Sequence, residues 1–245
     1  MEGREFDSIR PYNDEQTREA LKRIAKAPEI KQVCKFMHGS GLDEDSLRML
    51  LCSLNGIDDF QVKVMATVVR MVIAKTTKGI LTSGIENIKN GKKHLIVSNH
   101  RDIMLDPAII QLILFENGIS TTEIAVGDNL IANQFIEDVF RSNRMIKVTR
   151  GGTPREKYTA SKLLSTYLRD CVVSDRCSAW IAQRNGRSKD GKDMTEQGLL
   201  KMFEMSGSGD FVNDFDALSI LPVSISYQFE PCDFLKAREL YITRR

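Results

Sequence analysis

From residue 94 onward, short apolar runs rich in β-branched residues alternate with stretches of helical period, and this alternation limits the fold more than any other feature of the chain. The runs HLIVS (94–98), TTEIAVG (121–127), RMIKVTR (144–150), CSAWIAQR (177–184) and ALSILPVSISYQFE (217–230) read as strands. Between them, PAIIQLILFENG (107–118), NQFIEDVFRSN (133–143), a long stretch from Pro154 to about Cys171 capped by Thr153, and TEQGLLKMFEMS (195–206) capped by Thr195 read as helices. Strands joined through helices pair in parallel, because a parallel neighbour needs a crossover of a dozen or more residues. The expected fold is therefore α/β, a mostly parallel central sheet flanked by helices, with ligands received at the carboxyl ends of the strands. Pro222 inside the last strand points to an edge, a bulge or a bend. MSGSGDFVND (205–214) reads as a loop.

Ahead of the turn NGKK (90–93) the pattern is helical from Asn13 to about Lys78. Helices start at NDEQ and at GLDEDSLRMLLCSL, where Asp43 can cap, and a third covers DDFQVKVMATVVRMVIAKTTKGI. The chain thus divides into a helical N-terminal module, residues 1–78, and an α/β domain, residues 79–245. Val64, Met65, Val68, Val69 and Val72 read first as core packing; beside Lys63, Arg70 and Lys75 they also suit an anionic lipid surface.

Charge removes one class of function. Lys and Arg number 35 against 33 Asp and Glu, a net charge of +2, too balanced for a nucleic-acid binder built on bulk charge. No nucleic-acid partner is expected, and recognition of anions must be local. The five cysteines form no CxxC pair and read as reduced thiols, with no Cys/His cluster for a metal. No apolar run reaches the ~20 residues of a bilayer span, and the charged first residues hold no secretory core. The expected place is the cytoplasm, with any lipid met as a peripheral protein on the inner face of the membrane.

Chemistry concentrates in three stretches. In SNHRDIMLDP (98–107), His100 falls just past the first strand. Asp106 before Pro107 has two readings: it caps the following helix, or it accepts a hydrogen bond from His100 and holds the ring ready to take a proton at its other nitrogen. Asp102 is the alternative partner. HRD also occurs in protein kinases, but Pro107 stands where their Asn is required, and no DFG follows. In MIKVTRGGTPREKY, Arg150 follows a strand and precedes two glycines and a helix start, a place where a guanidinium and open backbone N–H groups can meet a phosphate. In WIAQRNGRSKDGKDMTEQG, the residues Asn185, Gly186, Arg187, Ser188 and Lys189 follow a strand as a basic, glycine-containing loop suited to a second polar or anionic group.

Taken in order, SNHRDIMLD, MIKVTR, IAQRNGRSKDG and ILPVSI resemble the four motifs of the glycerolipid acyltransferase family, over about Lys92 to Tyr227. Two differences stand out. Five residues rather than four separate His100 from Asp106, and Asn185 occupies the place of the family's Glu in its EGTR-type loop. The resemblance implies transfer of a fatty acyl group from an acyl thioester, acyl-CoA or acyl-carrier protein, to a hydroxyl of glycerol-3-phosphate or 1-acylglycerol-3-phosphate. It implies His100 as general base with Asp106 or Asp102 behind it. Arg150 would contact the acceptor phosphate, with residues 185–189 lining the acceptor site, and neither a cofactor nor a metal is expected. The alternative is a non-catalytic relative that binds lipid or acyl-carrier protein. A hydrolase using Ser98 or Ser188 is a third reading, weakened by the lack of a GxSxG elbow.

Overall fold

A computed structural model describes residues 4–36, 43–88 and 91–243; Asn90 of the turn read between the two modules lies outside them. The residues cluster into two compact units, Met1–Ser83 with Val126–Gly152, and Gly84–Ala125 with Thr153–Arg245.

In the first unit, α1 (Asp14–Lys26) is opened by a capping box in which Asn13 accepts from the Gln16 N–H and the Gln16 side chain accepts from the Asn13 N–H. After α2 (Ile30–Phe36), Asp43 caps α3 (Glu44–Ser53) as its position suggests. The third expected helix is broken into α4 (Ile57–Phe60), one π-helical turn (Gln61–Met65) and α5 (Ala66–Thr76). Leu21, Ile24, Leu47, Leu51, Phe60 and Val64 form the core of this unit, with Met65, Val68 and Met71 partly buried against it. Packing thus takes one side of the valine-rich face.

Residues 126–152 contribute a later helix, α7 (Gln134–Ser142), to the same core through Phe135 and Val139. The join has a polar centre. Asp138 is 1% exposed and accepts two bonds from the Arg23 guanidinium, both 2.8 Å, with Tyr12 and Gln134 as further donors. A carboxylate taken out of water survives only with such a complement.

The five strands β1 (Leu95–Ser98), β2 (Glu123–Gly127), β3 (Met145–Val148), β4 (Ala179–Ala182) and β5 (Ile220–Val223) make an all-parallel sheet in the order β3-β2-β4-β1-β5. The α/β architecture expected from the alternation is what forms, and β5 is an edge strand, which accommodates Pro222. In the second unit the helices are α6 (Leu105–Glu116), α8 (Pro154–Val173), α9 (Gln197–Glu204), α10 (Phe211–Ala217) and α11 (Asp233–Thr243). Thr153, Pro154 and Glu156 give α8 a capping box with proline in its first turn.

Three local expectations are corrected. Residues 211–214 of the stretch read as a loop are helical, the start of a helix that runs to Ala217, because Asp210 caps it and Asp214 anchors the preceding turn through the N–H groups of Ser208 and Gly209. Thr195 does not cap α9; its hydroxyl donates to Gln183 and Glu196 takes the cap position. The last strand stops at Val223 instead of running to 230, because Asn99 takes the backbone of Ile225, accepting from its N–H at 2.8 Å and donating to its carbonyl at 2.9 Å.

Register fixes where the loops emerge. Ser98 pairs with Ala182 and Val223, so β1, β4 and β5 end at one level and their following loops share one edge of the sheet.

The Asp138 cluster yields a stability prediction. Arg23→Ala leaves a buried carboxylate facing only neutral donors, and should cost about 2 kcal/mol in urea unfolding, below the loss for a fully buried pair because half of Arg23 lies in solvent.

Candidate functional site

His100 follows β1 by two residues and is held at its N–H, its carbonyl and one ring nitrogen by groups of the second unit. Its N–H donates to Asp193 Oδ2 at 2.8 Å, and its carbonyl accepts from the Ser188 N–H at 2.8 Å. Asp193 is itself fixed by Gln183, whose amide donates to the Asp193 carbonyl and Oδ1. The loops after β1 and β4 are therefore laced together around the histidine. Trp180 sets its ring edge-on to the imidazole, centroids 6.4 Å apart, and donates its indole N–H to Ser98.

Asp106 is fully buried and receives four hydrogen bonds. Oδ2 accepts from His100 Nδ1 at 3.1 Å, the Arg101 N–H at 2.7 Å and the Asp102 N–H at 2.8 Å; Oδ1 accepts from the Tyr227 hydroxyl at 2.8 Å. An ionised carboxylate only accepts, so we assign the hydrogen of the neutral imidazole to Nδ1. The lone pair then lies on Nε2, which has no hydrogen-bond partner among the described residues, and the His100 side chain is 13% exposed. Burial, reinforced by the Asp106 charge, holds the Tyr227 phenol well above its ordinary range, so it remains a donor.

The two readings of the carboxylates separate cleanly. Asp102 Oδ1 accepts from the N–H groups of Met104 and Leu105, so Asp102 serves the start of α6, and Asp106 pairs with His100. The helix begins at Leu105, which puts Asp106 inside its first turn rather than at its cap. The extra residue between His100 and Asp106 is accommodated by this tight loop.

The loop after β4 is spread over several environments. Gly186 has φ +73°, a conformation glycine adopts without strain. Asn185 is exposed and Arg187 partly exposed. Ser188 is fully buried with its hydroxyl donating to the Lys192 carbonyl, and Lys189 forms an ion pair with Glu239 of α11. Arg150 lies in the first unit, exposed just past β3, its N–H donating to Asp128 and its side chain lying against Gly127, where an added Cβ would stand 3.0 Å from Nε. Neither serine suggested as a nucleophile turns its hydroxyl to the His100 imidazole: the Ser98 hydroxyl donates to the Asn99 carbonyl and accepts from Trp180, and that of Ser188 donates to the Lys192 carbonyl.

Reading the sequence alone misses Tyr227, Asp193, Trp180, Asn99 and the Arg101–Glu230–Lys236 group. Asn99, Arg101, Trp180 and Asp193 lie within the stretches singled out above, but their types gave no reason to assign them a role; Tyr227, Glu230 and Lys236 are brought in by the chain beyond β5 and by the C-terminal helix. It also misses a cluster of Glu123, Cys171 and Cys177, whose potential ligand atoms lie within 4.8 Å of one another. A cation already occupies it: Arg176 pairs with Glu123 at 3.1 Å and donates to Cys171 Sγ at 2.8 Å. A hydrogen bond with Cys177, together with burial, pushes the Cys171 thiol far up, and a protonated thiol is a poor metal ligand.

With this geometry in view, comparison with known proteins is decisive at the level of family. A family model described as Acyltransferase matches residues 79–226, more than half of the chain. The chain belongs to the acyltransferase family. The match takes in His100, Asp106, Arg150 and the loop after β4. No curated protein matches the chain. None of the described helices of this acyltransferase is long and apolar enough to cross a membrane.

The two aspartates give a paired prediction. Asp102→Asn keeps an acceptor for the helix-start N–H groups and should change stability by only a few tenths of a kcal/mol, whereas Asp106→Asn turns an amide into a shell of four donors and should cost about 2–3 kcal/mol in chemical denaturation.

Proposed function

We propose that this acyltransferase moves a fatty acyl group from an acyl thioester, acyl-CoA or acyl-carrier protein, to a hydroxyl of glycerol-3-phosphate or 1-acylglycerol-3-phosphate, with His100 as general base. The observation that carries the reading is the four-donor shell of Asp106, which leaves His100 with Nδ1–H committed and Nε2 available. Nε2 takes the proton of the acceptor hydroxyl as its oxygen attacks the thioester carbonyl. The tetrahedral intermediate collapses, the C–S bond breaks, and the thiolate leaves with the proton returned from the imidazolium. The products are an ester and a free thiol. A direct transfer of this kind, without an acyl-enzyme, agrees with the engagement of the Ser98 and Ser188 hydroxyls in backbone contacts. Such proton transfer contributes roughly 100- to 10,000-fold in rate.

Arg150 is proposed to contact the acceptor phosphate, a role supported by the order of the motifs and by its exposed place after β3. In the loop after β4, Arg187 and Asn185 are the better candidates for a further acceptor contact, since Ser188 is buried and Lys189 is paired. For a lipid acceptor, the protein is proposed to work at the inner membrane surface as a peripheral, cytoplasmic protein. No cofactor, metal or nucleic acid enters the scheme.

The test is thiol release from a long-chain acyl-CoA, with and without glycerol-3-phosphate or lysophosphatidate. Acceptor-dependent release is expected, with His100→Ala lowering kcat by about 100-fold or more while the fold is kept. Arg150→Ala should raise KM for the phosphorylated acceptor about tenfold and leave KM for the thioester unchanged. Full activity in His100→Ala would remove the base assignment, and binding of lipid or acyl-carrier protein without turnover would favour the non-catalytic alternative.

A further inference from the structure

The residues matched by the family end at 226, but the hydrogen-bond shell of the His100–Asp106 pair does not. The next residue, Tyr227, supplies the only donor to Oδ1 of Asp106 among the described residues. Three residues on, Glu230 bridges two cations, accepting from the Arg101 guanidinium at 3.1 Å through Nε and from the ammonium of Lys236 in α11. Lys236 is 1% exposed and donates to the Arg101 carbonyl at 2.5 Å. Arg101 follows His100 directly, and its N–H donates to Asp106. The residue beside the histidine is thus gripped at its N–H by Asp106, at its carbonyl by Lys236 and at its guanidinium by Glu230.

We propose that Tyr227 is a positioning residue that fixes Asp106 against His100 and sets the basicity of the imidazole, with the Glu230–Lys236 pair clamping the peptide that follows the histidine. The use of that basicity in acyl transfer rests on the function proposed above. The physical argument concerns where the carboxylate charge goes. With the phenol in place, part of the Asp106 charge is absorbed by a neutral donor on Oδ1. Without it, a fully buried oxygen is left unpaired, the charge falls more heavily on the imidazole, and the protonated form of His100 is favoured. The other charged groups facing this pair are Arg101, Asp102 and Asp193 from the loops, and Glu230 and Lys236 from the C-terminal segment. All stay in place when Tyr227 loses only its hydroxyl, so a shift reports that one bond.

The test uses the full chain with Tyr227→Phe and two independent readouts. The pH titration of His100, followed by NMR on histidine-labelled protein and assigned with His100→Ala, should move to higher pH. In turnover, kcat should fall about tenfold with KM for donor and acceptor unchanged, and the acidic limb of the pH profile should move the same way as the titration. Replacing Tyr227 by 3-fluorotyrosine, a slightly stronger donor of nearly the same shape, should move the titration to lower pH, and it serves even where the phenylalanine variant folds poorly. An unchanged titration in both variants overturns the proposal. A titration that moves in a protein that turns over no acyl thioester upholds the link from Tyr227 to His100 and overturns the acyl-transfer reading instead.

Discussion

The site depends on the solvation of one carboxylate. Asp106 lies wholly out of water, where an ionised group persists only if protein donors replace the lost hydration. Four do so, and they come from two separate parts of the chain: His100 with the N–H groups of Arg101 and Asp102 from the loop after β1, and Tyr227 beyond β5. Because the four donors share one carboxylate, each also bears on the geometry of the others. The imidazole tautomer follows from that accounting.

The sheet makes this convergence possible. β1, β4 and β5 end in register, so the three following loops leave at one level, and side chains tie them together. Gln183 holds Asp193, Asp193 holds the His100 N–H, and Asn99 holds Ile225. Asn99 acts on two levels at once: it ends the β5 ladder by taking the Ile225 backbone, and so turns the chain toward the position from which Tyr227 reaches Asp106. The C-terminal helix adds a buried lysine that a sequence pattern would place in solvent. Its charge is compensated by Glu230, whose carboxyl burial alone would raise but which the bonds from Lys236 and Arg101 hold below the usual carboxylate range. That compensation is present above the ordinary carboxylate range and is lost as pH falls through the depressed value.

How much was legible in the sequence varied with the range of the interaction. The strand and helix alternation, the helix start at NDEQ and the Asp43 and Thr153 caps are local or periodic properties, and they appear where expected; of the edge, bulge or bend that Pro222 suggested, the structure has the edge. The choice between Asp102 and Asp106 was not local. Both aspartates sit beside a helix start, and only the loop's actual path gives the cap to Asp102 and the histidine to Asp106. Tyr227, Glu230 and Lys236 stand more than 120 residues from His100, the first two in a run read only as strand, and their roles come from a turn enforced by Asn99. The packing of Phe135 and Val139 of α7 on the N-terminal core is likewise a tertiary fact that periodicity does not disclose.

The most direct test of the central claim is the tautomer of His100, read from its two ring-nitrogen resonances in 15N-histidine-labelled protein at a pH where the ring is neutral, with His100→Ala providing the assignment. The account predicts a protonated Nδ1 and an unprotonated Nε2, as the acceptor-only Asp106 requires. A hydrogen on Nε2 would contradict it, because the nitrogen assigned to accept the proton would already carry one.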